Sequence, residues 1–144
     1  MKSTKPKKVT AGKRIVHASG KRKRSVARAT IKQGKGNVKI NNIAIDVYEP
    51  KIARIKIMEP MLIAGDLAKD INININIKGG GVISGAEAAR LAVGRALVEW
   101  AGKSSLKDEF LKYDRSLLVA DVRYKEPCKP NISKARAKRQ KSYR

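Results

Sequence analysis

The sequence predicts a single domain of mixed strands and helices with a strongly cationic segment at each end. Three observations carry this. Residues 71–77 read Ile-Asn-Ile-Asn-Ile-Asn-Ile, a strict period of two that marks a half-buried strand. Residues 84–101 place Ala86, Ala89, Val93, Leu97 and Trp100 at helical spacing. The charge, finally, is unevenly placed. Over the 144 residues there are 34 Lys and Arg against 12 Asp and Glu, a net +22, of which residues 1–24 hold +10, residues 25–124 only +5 and residues 125–144 +7. The expected organisation is a basic arm at 1–24, a globular domain at 25–124 and an extended basic tail at 125–144.

The elements follow in order. A first strand is expected over about Ser25–Lys32, with Ala27, Ala29 and Ile31 on one face and Arg28, Thr30 and Lys32 on the other. Gly34-Lys35-Gly36 reads as a hairpin to a second strand over Asn37–Asn41. That strand turns Val38 and Ile40 inward and Lys39 outward. The pair would then carry a basic open face, which either meets phosphates or is simply solvated. Tyr48–Ala64 reads as helix, opened by Pro50 and broken near Pro60, with Ile52, Ile55, Met58 and Leu62 as core. In the 71–77 strand the four isoleucines are core. Asn72, Asn74 and Asn76 face either RNA, water or a neighbouring strand. Ser84 and Glu87 form an S-x-x-E pattern that predicts a helix starting at Ser84. Gly102 ends that helix. A further helix is expected over Ser105–Tyr113, with Asp114 capping a short turn after it. From Glu126 onward prolines and cations predominate, and no packed structure is expected.

The chemistry points to binding, not catalysis. The one histidine, His17, stands in the basic arm without a partner and suits a contact to RNA better than acid–base work. No Cys/His set has metal-ligand spacing, and no cofactor is expected. A single cysteine, Cys128, excludes an internal disulfide. No apolar run is long enough to cross a membrane, so no membrane partner is expected. Gly79-Gly80-Gly81 lacks the Lys-Ser/Thr of a nucleotide-hydrolase loop. It precedes a helix, however, with Lys78 at its entry and Arg90 near the start of that helix. It is therefore either a phosphate contact or a tight turn. Arms this basic make mostly phosphate contacts, which give affinity without reading sequence.

Several motifs then resemble one family. Gly20-Lys21-Arg22-Lys23-Arg24-Ser25-Val26-Ala27-Arg28-Ala29 and Gly36-Asn37-Val38-Lys39-Ile40-Asn41 closely resemble the opening of ribosomal protein nine of the small subunit. Lys78-Gly79-Gly80-Gly81 with Ser84-Gly85-Ala86 is similar to its glycine loop and following helix. Asp121–Glu126 and Ala135–Arg144 are similar to its C-terminal tail. The ending Ser142-Tyr143-Arg144 and the lysine-rich N-terminus resemble archaeal and eukaryotic forms, archaeal above all, where bacterial members tend to end in Ser-Lys-Arg. The resemblance implies an α+β fold, a four-stranded sheet with helices packed on one face. It implies a cytoplasmic ribosomal protein in the head of the small subunit, beside neighbouring ribosomal proteins. It implies ribosomal RNA contacts from Lys13, Arg14, Lys21, Arg22, Lys23, Arg24, Arg28, Lys35, Lys39, Lys78, Gly79, Gly80, Gly81, Arg90, Arg123, Lys129, Lys134, Arg136, Lys138 and Arg139. It also implies a tail whose last residues, Lys141, Ser142, Tyr143 and Arg144, reach the anticodon stem-loop of the peptidyl-site tRNA.

Overall fold

The computed structural model describes residues 14–102, 104–130 and 134–137. One mixed sheet runs in the order β1-β2-β5-β3-β4. Its strands are β1 (Ile15–Arg22), β2 (Ser25–Gln33), β3 (Val38–Ile40), β4 (Ile43–Ala44) and β5 (Ile71–Lys78). The sheet thus has five strands, not four, the fifth being the two-residue edge strand β4. The strand β1 lies in what the sequence reading assigns to the N-terminal arm. It pairs antiparallel with β2 through a tight turn at Lys23, whose φ is 52°. Val16 and Gly20 are buried and Ala18 half-buried beneath it. These small residues alternate too faintly among the cations to announce a strand.

The helices are α1 (Lys51–Ala64), the single turn α2 (Asp66–Lys69), α3 (Val82–Ala101) and α4 (Ser104–Tyr113). They cover one face of the sheet and leave the other open. The strand β5 was legible, but its neighbours were not. It inserts between β2 and β3, antiparallel to the first and parallel to the second. The segment Gly34–Gly36 is therefore no hairpin. It bends around the start of β5, where Gly34 N–H donates to Asp70 O and Gly36 N–H to Ile71 O. The reason is burial. Ile71, Ile73 and Ile75 are sealed against the helices, so the most apolar strand takes a central place. The parallel β3–β5 pairing then needs a crossover, supplied by α1 and α2.

α3 is the spine of the helical layer. Ala86, Ala89, Val93 and Leu97 are fully buried as expected, and Trp100 is half-buried. Its start differs from expectation. The helix begins at Val82, and its cap is Gly81, three residues before the expected Ser84. Ser84 Oγ accepts from Gly81 N–H at 3.0 Å and donates to Gly81 O at 2.9 Å. Glu87 is thereby freed for ion pairs elsewhere. In α1 the expected core is also corrected. Ile52 (63% exposed), Ile55 and Leu62 (71%) face solvent and Met58 is half-buried, while Ala53, Ile57, Pro60, Met61 and Ala64 are buried. Pro60 sits inside this helix and does not break it. Both stripes have helical spacing. The stripe with Ala53 wins because a small residue lets α1 approach the alanine-rich α3 closely. α4 matches its expected span to within a residue. Asp114 caps the turn Arg115–Leu117, its Oδ1 accepting from Ser116 N–H at 2.7 Å.

Candidate nucleic-acid interface

The open face is built by strand alternation. Outward positions are Ile15, His17, Ser19 and Lys21 on β1, Arg28, Thr30 and Lys32 on β2, Asn72, Asn74 and Asn76 on β5, and Lys39 on β3. The register sets them in rows. His17 stands beside Thr30, Thr30 beside Asn74 and Asn74 beside Lys39, while the next row runs Ser19, Arg28, Asn76. None of the five strands contains an Asp or Glu. The cations of this face thus lack carboxylate neighbours on the sheet, and their field points outward undiminished. At the far end the β1–β2 hairpin meets the glycine loop. Gly79 and Gly80 hold φ near +72° and +73°, a conformation that a side chain resists, and Gly79 packs beside Arg24 O. This brings Lys23, Arg24 and Lys78 to one corner.

Two asparagines hold the fold: Asn72, expected to face RNA, water or a neighbouring strand, and Asn41, to which the sequence reading assigns no such role. Asn72 Oδ1 accepts from Lys35 N–H and Asn37 N–H, fixing the bend that carries Lys35 to the rim. Asn41 exchanges two bonds with the backbone of Ile77 and so extends the β3–β5 ladder by its side chain. The side chains of Asn74 and Asn76 are exposed and make no hydrogen bond among the described residues. His17 Nδ1 lies 3.0 Å from Thr30 Oγ1, on the face itself and not in an arm.

The expected RNA-contacting residues divide into groups. Lys21, Arg28, Lys35 and Lys39 line the open face or its rim, and Lys23, Arg24, Lys78 and Gly79–Gly81 form its corner. Arg22 and Arg90 do not belong with them. Arg22 is half-buried and pairs with Glu87 at 2.9 Å and Asp121 at 3.1 Å. Arg90 lies two turns into α3, not at its start, with Glu59 at 2.6 Å and Asp114 at 2.8 Å. The Glu59 contact is one of charge, since the N–H does not line up with the oxygen. Burial pushes the Asp114 carboxyl up, but bonds from Ser116 and Arg90 outweigh it and pull it down to about 2. Arg14 caps the end of α3, donating to Glu99 O and resting 5.1 Å from the Trp100 ring centre. Arg123 and Arg136 are exposed and paired with Asp121 and Glu126, while Lys129 and Lys134 are exposed. Lys13, Lys138, Arg139, Lys141, Ser142, Tyr143 and Arg144 lie outside the described residues. Lys56, paired with Glu87 at 3.1 Å, and Arg95 were missed, because sequence reading cannot see their distant partners.

The role of Arg90 is testable. Arg90→Met is expected to lower stability by about 2–3 kcal/mol, since it strands two carboxylates, one of them partly screened. RNA affinity of the folded protein should not change. Urea titration and RNA binding measured on the same sample check both, and a selective loss of affinity would return Arg90 to the interface.

No group of His, Cys, Asp or Glu among the described residues could hold a metal ion. No helix is long and apolar enough to cross a membrane. An acid-free cationic sheet face backed by helices, followed by a basic tail, defines a polyanion-binding protein. The family model described as Ribosomal protein S9/S16 matches residues 20–144. The chain is also 50% identical over 133 residues to the small ribosomal subunit protein uS9 of Methanococcus maripaludis strain C5, covering 91% of this chain and 99% of that one. The same protein of strain C7 is 49% identical over equal shares. The chain belongs to the ribosomal protein S9/S16 family, in its archaeal-type form. It is a ribosomal protein and not an enzyme.

Proposed function

We propose that this chain is a structural constituent of the small ribosomal subunit in the cytoplasm, seated in the head on ribosomal RNA beside neighbouring ribosomal proteins. The observation that carries the reading is the acid-free face with Arg28, Lys32, Lys39 and Lys78. Phosphates neutralise that face, and Lys23, Arg24 and the glycine loop extend the contact at its corner. The name of the relatives, small ribosomal subunit protein uS9, supports the choice of subunit. In this reading residues 1–13 and 125–144 are arms that run into RNA. Lys13, Lys129, Lys134, Arg136, Lys138 and Arg139 meet ribosomal RNA. Lys141, Ser142, Tyr143 and Arg144 reach the anticodon stem-loop of the peptidyl-site tRNA, with Arg144 on a phosphate.

Two measurements test it. After a high-salt wash the protein is expected to sediment with the small subunit at one copy per particle. Spread over all nucleic acid, it would instead be a general binding module. Removal of Lys141–Arg144 is expected to leave assembly intact and weaken tRNA in the peptidyl site at low magnesium. Unchanged tRNA affinity would remove the tail from the site.

A further inference from the structure

The segment that leaves the domain after the turn Arg115–Leu117 has no helix or strand, yet it is tied down at several points. Arg95, on α3, donates from Nε to Leu118 O at 2.9 Å and from its terminal nitrogen to Ser19 O at 3.0 Å. One guanidinium thus holds the segment to the outer edge of β1. Further along, Arg22 at the end of β1 donates to Arg123 O at 3.3 Å and pairs with Asp121 at 3.1 Å. Its Nε is held by Glu87, so the fork has a fixed orientation before it meets the segment. Asp121 also accepts from the amide and guanidinium of Arg123, and Lys21 Nζ lies 5.6 Å from the Tyr124 ring centre. Arg123 holds the Asp121 carboxyl well below the usual carboxylate range.

Along the segment the ties go from Ser19, beside Leu118, to Arg22, which holds Asp121 and Arg123, with Tyr124 lying back beside Lys21. The segment therefore runs along the β1 edge toward the hairpin tip. We propose that Arg95, Arg22 and Asp121 form a clasp that fixes where, and in which direction, the C-terminal tail leaves the domain. They are positioning residues for the tail, and this rests on the reading that the tail reaches tRNA. Without the Arg22–Asp121 part of the clasp, the chain is tethered at Leu118 through Arg95 and not at Tyr124. The longer tether lowers the local concentration of the tail end about 1.5-fold by length alone, and loss of direction adds to this. Asp121 is the partner to change. Its removal leaves the pairs of Glu87 with Arg22 and Lys56 in the body of the domain.

The test uses Cys128, the only cysteine in the chain and exposed beyond the clasp. An iron chelate attached there in reconstituted small subunits cuts nearby RNA by hydroxyl radicals. The parent protein is expected to give a narrow set of cuts. Asp121→Ala should spread and weaken them, release peptidyl-site tRNA about twofold faster and leave incorporation unchanged. Asp121→Glu should restore the parent pattern, and Asp121→Asn serves if the alanine variant is not incorporated. An unchanged cleavage pattern in the alanine or asparagine variant overturns the clasp. The protein lacking Lys141–Arg144 is measured beside them. Its failure to alter tRNA release refutes the tRNA contact alone, since the cleavage pattern reports the clasp by itself.

Discussion

Gly20→Ala is expected to cost about 3 kcal/mol, far more than a glycine-to-alanine change usually does in a strand. A Cβ at this position would lie 2.2 Å from Ala88 O and 2.8 Å from Ala92 N. Both are backbone atoms of α3, so no side chain can swing away. α3 cannot retreat either, because Ala86, Ala89 and Val93 are fully buried in the same core. The strand and helix must separate, and overpacking of a tight core typically costs about 1–3 kcal/mol. With an obstacle made of backbone, the upper end is the fair expectation. Against a typical domain stability of about 5–15 kcal/mol this is a large fraction. A urea titration of the variant decides it. A loss below about 1 kcal/mol would mean that β1 packs less closely on α3.

That glycine also marks where sequence reading stops. In the sequence it is one more small residue in a cationic stretch, and the stretch reads as an arm. What makes it necessary is the carbonyl of a residue far along the chain. The same holds for the charges. Arg22 and Arg90 look like their exposed neighbours Lys21 and Lys23, and only their distant carboxylate partners separate them. By contrast, local signals read well. The alternation of residues 71–77 named a strand and its buried face. The spacing of Ala86, Ala89, Val93 and Leu97 named the buried face of α3. Asp114 announced its turn.

Competing local signals explain the remaining differences. α1 offers two apolar stripes, and periodicity cannot rank them. The ranking comes from how near Ala53 lets the helix lie to α3. Around α3 two caps compete, Ser84 with Glu87 against Gly81 with Ser84. The second wins because Glu87 gains Arg22 and Lys56 as partners and Ser84 Oγ gains Ser25 Oγ at 2.8 Å. The open face survived a wrong pairing of strands. Arg28, Lys32 and Lys39 point outward whatever lies between β2 and β3, since facing depends on the period of two alone.

The face itself gives the largest expected effect on binding. Arg28→Glu with Lys39→Glu is expected to lower affinity for small-subunit RNA about 100-fold at about 0.1 M salt. A phosphate contact contributes about 0.9 to the slope of log affinity against log salt, which at that salt is worth about eightfold relative to 1 M. Two lost contacts multiply to about 60-fold, and the new carboxylates add repulsion. The slope should fall by about two in the same titration. Stability should stay within about 0.5 kcal/mol, because both side chains are exposed. The control is Lys107→Glu with Lys112→Glu on α4. It changes net charge equally but lies on the helical side, with both side chains exposed. If RNA reads the sheet, the control pair should lose much less affinity. Equal losses from the two pairs would show that the RNA senses total charge, and the open sheet face would lose its claim to be the interface.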